Sequence, residues 1–343
     1  MTLFALRTPD DLLTVRFAVS PAWETQAAVQ ALADERGRAY HQPWVVAVRA
    51  RAARLDLAPL MAALPRCGYV PDFLTPPPRT SRPGLAAELA QIRATDPAHV
   101  ARELERCRET VDNEPDRRLL SCLLADPQRA RDLLAARLRD AWASLVAPYW
   151  ARIRALLDHD VEERSRALTR HGLRRVLDEL HPKLRWTTPG LSLADHSDRT
   201  VQAGGRGLLL MPSAYLWPHV ASTVEEPWLP TIIYPAAGIA GLWQPPAAPP
   251  RALSRLLGRT RARVLTALDQ PISTTALAAV TELSPAGVSA HLLALRDAGL
   301  VSAARHGHEV RYHRTELGSA LLHTRRQNNH AQELSAQGRP DSS

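Results

Sequence analysis

Apolar positions change their period along the chain, and the changes mark its regions. In LLTVRFAVS the apolar residues alternate around Val15, Phe17 and Val19, which predicts a strand ending at Ser20. Ser20 can then cap a helix with Pro21 at its first position, and AWETQAAVQALADE holds good helix formers without a breaker. The run TPPPRTSRPG, residues 75–84, lacks the amide donors to extend either element and reads as a linker or surface loop. From Leu85 to about Leu180 the spacing is helical, as in Ala130, Leu133, Leu134, Leu138 and again Val146, Trp150, Ile153, Leu157. Asp96-Pro97 and Asp126-Pro127 are helix starts, and the Arg and Glu residues between the apolar positions read as solvated faces with i,i+4 pairs. His181-Pro182 closes this block.

Between Leu184 and Trp243 short apolar runs alternate with Gly and Pro: KLRWTT, GLLLMPS, PTIIYP and GLWQP are strand signals. Trp186, Trp217, Trp228 and Trp243 all fall here; such a cluster fits a packed core or interface, and it also fits a ligand pocket. The pattern gives a mostly α chain with small β elements, an α+β fold class. A mainly helical region with an N-terminal strand spans 1–183, and a small β-rich segment packing on it spans 184–243. A Pro-rich linker occupies 244–250, a winged helix-turn-helix 251–322 and a disordered tail 323–343.

The segment 251–322 is the most explicit. Leu253, Leu256, Leu257, Val264, Leu265 and Leu268 form one amphipathic helix or a broken pair, closed by Pro271. Ser273 or Thr274 caps a short helix with Leu277, Ala278 and Val280 inward. Ser284-Pro285 then opens a second helix that buries Val288, Leu292 and Leu295, and Gly299 stops it. Two such helices make the geometry that enters a major groove. Ala286, Gly287, Ser289 and Ala290 are small enough for close approach to base edges; Ser289 can hydrogen-bond, and His291 lies near the same face. LVSAAR and EVRYHRT, joined through His306-Gly307-His308, predict a hairpin wing with Val301, Ala303, Val310 and Tyr312 inward. Arg305, His308, Arg311 and Arg314 are left for phosphates or a minor groove.

Leu257, Arg261, Val264, Leu265, Leu268, Leu277, Ala278, Ser284, Val288, Ser289, His291, Leu292, Leu295, Arg296, Ala298, Gly299, Leu300, Val301 and Tyr312 together resemble the winged helix-turn-helix of the arsenic-repressor (ArsR) family of bacterial regulators. The resemblance implies a homodimer on a palindromic double-stranded DNA operator. It places Ser284, Gly287, Ser289, Ala290 and His291 at the groove and Arg261, Arg305 and Arg311 near phosphates, with Thr274, Arg296 and His308 as further DNA-binding positions. Two departures shape the expectation. The Cys-x-Cys pair of metal-sensing members is replaced by TTALAAV, and the final-helix site has only His323 and His330, in a polar tail, so no metal is expected. The recognition helix also begins with Pro285, Ala286 and Gly287, leaving few bidentate readers, so shape, methyl contacts and the wing carry more of the specificity.

Charge follows the same division. Residues 251–326 hold 11 Arg against 5 acidic residues, an excess of six, whereas residues 1–250 have an excess of three; a local positive field suits a polyanion. With 45% hydrophobic and 23% charged residues, and no apolar run near the roughly 20 residues of a membrane span, the chain is expected to be cytoplasmic and off the membrane. Cys67, Cys107 and Cys122 never form a CxxC pair and read as idle or buried thiols. AGGRG at 203–207 has neither dinucleotide-loop nor P-loop spacing, and GVSAH is not a nucleophile elbow, so no cofactor and no catalytic residue is expected. The expectation is a transcriptional regulator whose N-terminal region accepts a small-molecule effector. The alternative is a winged helix serving dimerisation or protein binding in an enzyme or adaptor.

Overall fold

A computed structural model describes residues 1–33, 38–66, 68–188, 190–195, 198–244, 248–268, 271–281, 283–306 and 309–323. The chain forms two compact units, Met1–Trp243 and Gln244–Ser343. Most of the inferred 244–250 linker is described, but 245–247 and the tail from 324 on, with His330, lie outside the described residues, as do Cys67, Gly307 and His308.

The N-terminal unit is mainly helical around two small sheets. Its helices are α1 (Pro9–Leu13), α2 (Pro21–Ala33), α3 (Arg38–Ala52), α4 (Ala58–Ala62), α5 (Leu85–Arg93), α6 (Pro97–Thr110), α7 (Glu114–Leu124), α8 (Pro127–Ala141), α9 (Trp150–His171) and α10 (Leu173–Asp178). Asp96 and Asp126 cap α6 and α8, accepting from the amides of Ala98 and Arg129, each at 2.9 Å. Past α8 the backbone widens into a π turn over Trp142–Val146, and Trp44 Nε1 donates to the Leu145 carbonyl there at 3.0 Å.

The strands are β1 (Thr2–Ala5), β2 (Arg16–Phe17), β3 (Leu184–Thr187), β4 (Gly190–Leu193), β5 (Arg199–Gln202), β6 (Leu209–Ser213), β7 (Ala221–Thr223) and β8 (Thr231–Pro235). One sheet has the order β3-β4-β1-β5, the other β2-β6-β8-β7. The N-terminal strands β1 and β2 therefore complete sheets begun nearly two hundred residues later, and 1–183 and 184–243 form one body. Central β6 and β8 are parallel and buried on both faces, with Leu210, Ile232 and Tyr234 in one cluster and Leu209, Met211 and Ile233 in another. A third, larger cluster lies among the helices and includes Trp44, Phe73, Leu104, Leu134, Leu138 and Ile153.

Several local expectations change. The segment 11–20 holds the end of α1 and only a two-residue strand, because Thr8 caps α1 through the Asp11 amide and Asp11 returns a bond to the Thr8 amide. Of the two readings of residues 75–84 the loop holds and the linker does not: 79–82 are exposed, but Pro76–Pro78 are buried, and the Ser81 carbonyl accepts from the Val19 amide at 3.0 Å. GLWQP is not a strand; a short 3-10 turn, Ile239–Gly241, leads into it.

The solvated-face reading fails for Glu88 and Glu103, and Asp158 and Asp160 are buried too, each of the four at most 5% exposed. Glu88 Oε2 accepts from the Ala22 amide at 2.8 Å, Glu24 Oε2 from Ala214 at 3.0 Å and Glu103 Oε2 from Phe73 at 2.7 Å. Asp160 accepts from the Ala237 amide and the Tyr234 hydroxyl at 3.0 and 2.8 Å. Each bond pins an amide of a loop or of the first turn of a helix, satisfying a donor that would otherwise be buried unpaired.

Burial pushes the Glu24 and Glu88 carboxyls up from 4.5 to about 7. The folded chain then binds protons that the unfolded chain releases, so this contribution to stability is complete below about pH 4.5 and fades as pH rises through about 7. Replacing both with Gln keeps an acceptor for each amide but removes the titration. E24Q/E88Q should melt above the wild type at about pH 8, the difference shrinking toward about pH 5. Melting curves across that range check it, and a pH-independent difference would contradict it.

Candidate nucleic-acid interface

The C-terminal unit contains α11 (Arg251–Leu257), α12 (Arg259–Ala267), β9 (Ile272–Ser273), α13 (Thr274–Thr281), α14 (Pro285–Asp297), β10 (Val301–His306), β11 (Glu309–Arg314) and α15 (Glu316–His323). Gly258, at φ +82°, breaks the first amphipathic stretch into α11 and α12. Leu256, grouped with the inward positions from sequence, is 69% exposed, because the break turns it away from the stripe that Val264 and Leu265 continue.

Ser273 Oγ accepts from the Ala276 amide at 3.3 Å in the first turn of α13, which buries Ala276, Leu277 and Ala278. Its Thr281 carbonyl receives a guanidinium bond from Arg263. Ser284 then caps α14, its Oγ accepting from the Gly287 amide at 3.1 Å with Pro285 next in line. Val288, Leu292 and Leu295 are essentially fully buried along one stripe. Gly299, at φ +71°, ends the helix in the left-handed conformation, and the Leu300 amide bonds back to Leu295 at 2.9 Å.

What α14 leaves outside is a stripe of small and apolar side chains. Ala286, Ser289, Ala290, Leu293 and Asp297 are exposed at helical spacing, with Arg296 at its edge. His291 and Gly287 are half-buried beside the stripe, and Thr274 is half-buried at the start of α13. A Cβ at Gly287 would stand 3.1 Å from Ser284 Oγ, so glycine there keeps the cap uncrowded. Leu293, half exposed, was missed in the sequence although it was legible: once Leu292 faces inward, its neighbour is rotated about 100° toward the outside. The stripe offers one hydroxyl, methyl groups, the Asp297 carboxylate at its far end and an edge guanidinium, which suits methyl contacts and close approach more than a dense hydrogen-bond code.

The three-stranded wing sheet has the order β10-β11-β9. Its register pairs Val301 with Arg314, Ala303 with Tyr312 and Arg305 with Val310, so the expected apolar set does share one face. Burial on that face does not reach the tip. Val301 is 2% and Ile272 7% exposed, whereas Ala303 is exposed and Val310 is 43% exposed, since the hairpin outruns the helix beneath its base.

The opposite face carries Ala304, Arg311 and Ser273. Arg311 is only 3% exposed, which withdraws it from the phosphate contacts expected of it. Arg305 is exposed, as are Arg251 and Arg255 on α11 and Arg259, Arg261 and Arg263 on α12; α11 and α12 contain no acidic residue. His313 Nε2 lies 2.7 Å from Ser302 Oγ across the hairpin, and His308 lies outside the described residues.

Residues 256–302 match a helix-turn-helix domain, and the stretch from α12 to the start of β10 has that geometry. The C-terminal unit carries a helix-turn-helix domain. Residues 93–240 match a family of unknown function, DUF5937, a stretch that leaves out β1, β2 and α2. No curated protein and no solved structure matches the chain. No helix among the described residues is long and apolar enough to cross a membrane.

The four tryptophans weighed as a pocket do not converge. Trp186, on β3, packs on the cluster of Phe4, Leu177 and Leu191, Trp228 donates to Glu103 Oε1 at 3.0 Å, and Trp243 donates to His41 Nδ1 at 2.9 Å while stacking near Trp44. Trp217 walls two cavities, and it is 40% exposed.

The cap gives a direct test. Ser284→Ala should cost about 1 kcal/mol of stability, and Ser284→Gly only a few tenths, in urea denaturation of the full chain. Equal losses from both would argue against the capping bond.

Proposed function

We propose that this protein is an ArsR-like transcriptional regulator that binds double-stranded DNA as a homodimer on a palindromic operator. The observation that carries the reading is the exposed Ala286–Ser289–Ala290–Leu293 stripe, on a capped helix in a helix-turn-helix domain that also bears a wing and exposed arginines. In this reading the stripe enters the major groove, Ser289 meets a base edge, Ala290 and Leu293 contact thymine methyls, and Arg261 and Arg305 meet phosphates. No acid occupies the first turn of α14, so its positive end adds to the attraction for the DNA backbone.

The reading includes a small-molecule input through the N-terminal unit. A ligand there changes DNA affinity only insofar as it binds the DNA-competent state differently.

Fluorescence anisotropy of the protein with its own upstream DNA and with a shuffled duplex, across a salt series, tests the reading. Selective binding that weakens steeply with salt is expected. Arg261→Ala and Arg305→Ala should each reduce the salt slope by about one unit on both duplexes. Ser289→Ala should change the ratio of the two affinities instead. The half-exposed Leu293 favours a second reading, docking on an apolar protein surface, and absence of selectivity at every salt concentration would leave that one standing.

A further inference from the structure

A cavity of about 780 Å³ lies in the N-terminal unit between α2, the loop 65–72 and the segment 215–224. Cavities of roughly 300–1,000 Å³ hold small organic ligands. Two of its walls leave the carboxyl ends of parallel strands, since α2 follows β2 and the segment 215–220 follows β6. Open sheets of parallel strands collect their ligands beyond that edge.

The lining is divided by polarity. Trp23, Ala27 and Ala31, which are 7, 3 and 7% exposed, follow one another at single-turn spacing along α2 and make an apolar floor. The two alanines leave open the space that larger side chains would fill. Leu216 and Val220, both half-buried, add apolar surface from the segment after β6.

The rim is cationic. Arg66 and His219 line the same cavity, both are exposed, and neither takes part in an ion pair among the described residues. Asp112 and Asp116, which share a neighbouring cavity with Arg66, form no ion pair with it. The other charges of the wall are already engaged. Arg199 and Arg106 both bond Glu225, at 3.0 and 2.9 Å, and Glu103 accepts from the Phe73 amide and the Trp228 indole. Burial, with the neighbouring Glu103 charge, lifts the Asp72 carboxyl to about 7, so near neutral pH it opposes an anion less than an ordinary carboxylate would.

We propose that this cavity binds an amphipathic monocarboxylate. The ring or chain of the guest lies on Trp23, Ala27 and Ala31. Its carboxylate stays at the rim, where the Arg66 guanidinium donates a pair of hydrogen bonds and His219 offers a further ring N–H. Apolar burial supplies most of the affinity, and the solvent-open charge pair selects an anion over a neutral compound of the same shape.

The site gives chemical content to the effector part of the function proposed above, but binding itself needs no DNA. The two readings can therefore fail separately.

Equilibrium dialysis of the full-length protein against 1-naphthaleneacetate and decanoate, each beside its neutral amide, tests the proposal. Saturable binding of at least one acid is expected, about threefold or more tighter than its amide at low salt, with the advantage shrinking as salt is added. Arg66→Gln, at an exposed position, should weaken that acid about threefold and leave the amide unchanged. Ala31→Leu, which fills the floor, should weaken acid and amide alike by about tenfold or more. A damaged fold would lower the affinity for the amide in Arg66→Gln as well, so the amide separates a lost charge contact from lost structure. No saturable binding of either acid, an amide binding as tightly as its acid, or unchanged acid affinity in either variant would overturn the proposal.

Discussion

The N-terminal unit depends on carboxylates that are inside it. Glu24, Glu88, Glu103 and Asp160 each accept a backbone amide from a segment 30 to 190 residues away, at Ala214, Ala22, Phe73 and Ala237. The amides they hold, in loops and at helix starts, lie where water cannot satisfy the chain, so an internal acceptor replaces it. Asp11 does the same near the surface, accepting from Arg7, Thr8 and Gly205, and those bonds outweigh desolvation to keep its carboxyl below the usual range. Deeper in, desolvation wins, and Glu24 and Glu88 rise to about 7 with one oxygen each unpaired. The unit is thus cross-linked by internal acceptors, of which Glu24 and Glu88 resist ionisation.

Polar economy differs between the two units. In the C-terminal unit α13, α14 and α15 are closed locally at their starts, and α14 at its end as well. Ser273 and Ser284 cap from the front, Gly299 closes from behind, and Thr315 Oγ1 both donates to the Gly299 carbonyl at 2.7 Å and accepts from the Gly318 amide at 3.1 Å. The chain packs so closely there that a Cβ at Gly318 would stand 2.2 Å from the Leu300 carbonyl. Closure by short-range bonds frees the outer face of α14 from structural duty, and its residues can be small. In the N-terminal unit closure is long-range, and around Trp23, Gln26 and Tyr215 it is incomplete.

The sequence by itself determined the elements whose signals are local. Ser284-Pro285, Gly299, Asp96-Pro97 and Asp126-Pro127 mark helix ends because a cap needs only residues within one turn, and Val288, Leu292 and Leu295 mark an inward stripe because the helix repeats every 3.6 residues. The mostly helical class with small sheets, and the helix-turn-helix, follow from such signals. Tertiary structure alone decided which polar residues go inside. Glu88 and Glu103 stand at positions that look solvated in any periodic pattern, and only packing against loops distant in sequence turns them inward. The same holds for Arg311, whose burial is set by its place on the middle strand of the wing sheet, and for Trp23 and Leu216, which are 193 positions apart and meet at one cavity only after β2 and β6 have paired. Periodicity reports what one element presents; what it is presented to depends on contacts between distant segments, which no local window of the sequence contains.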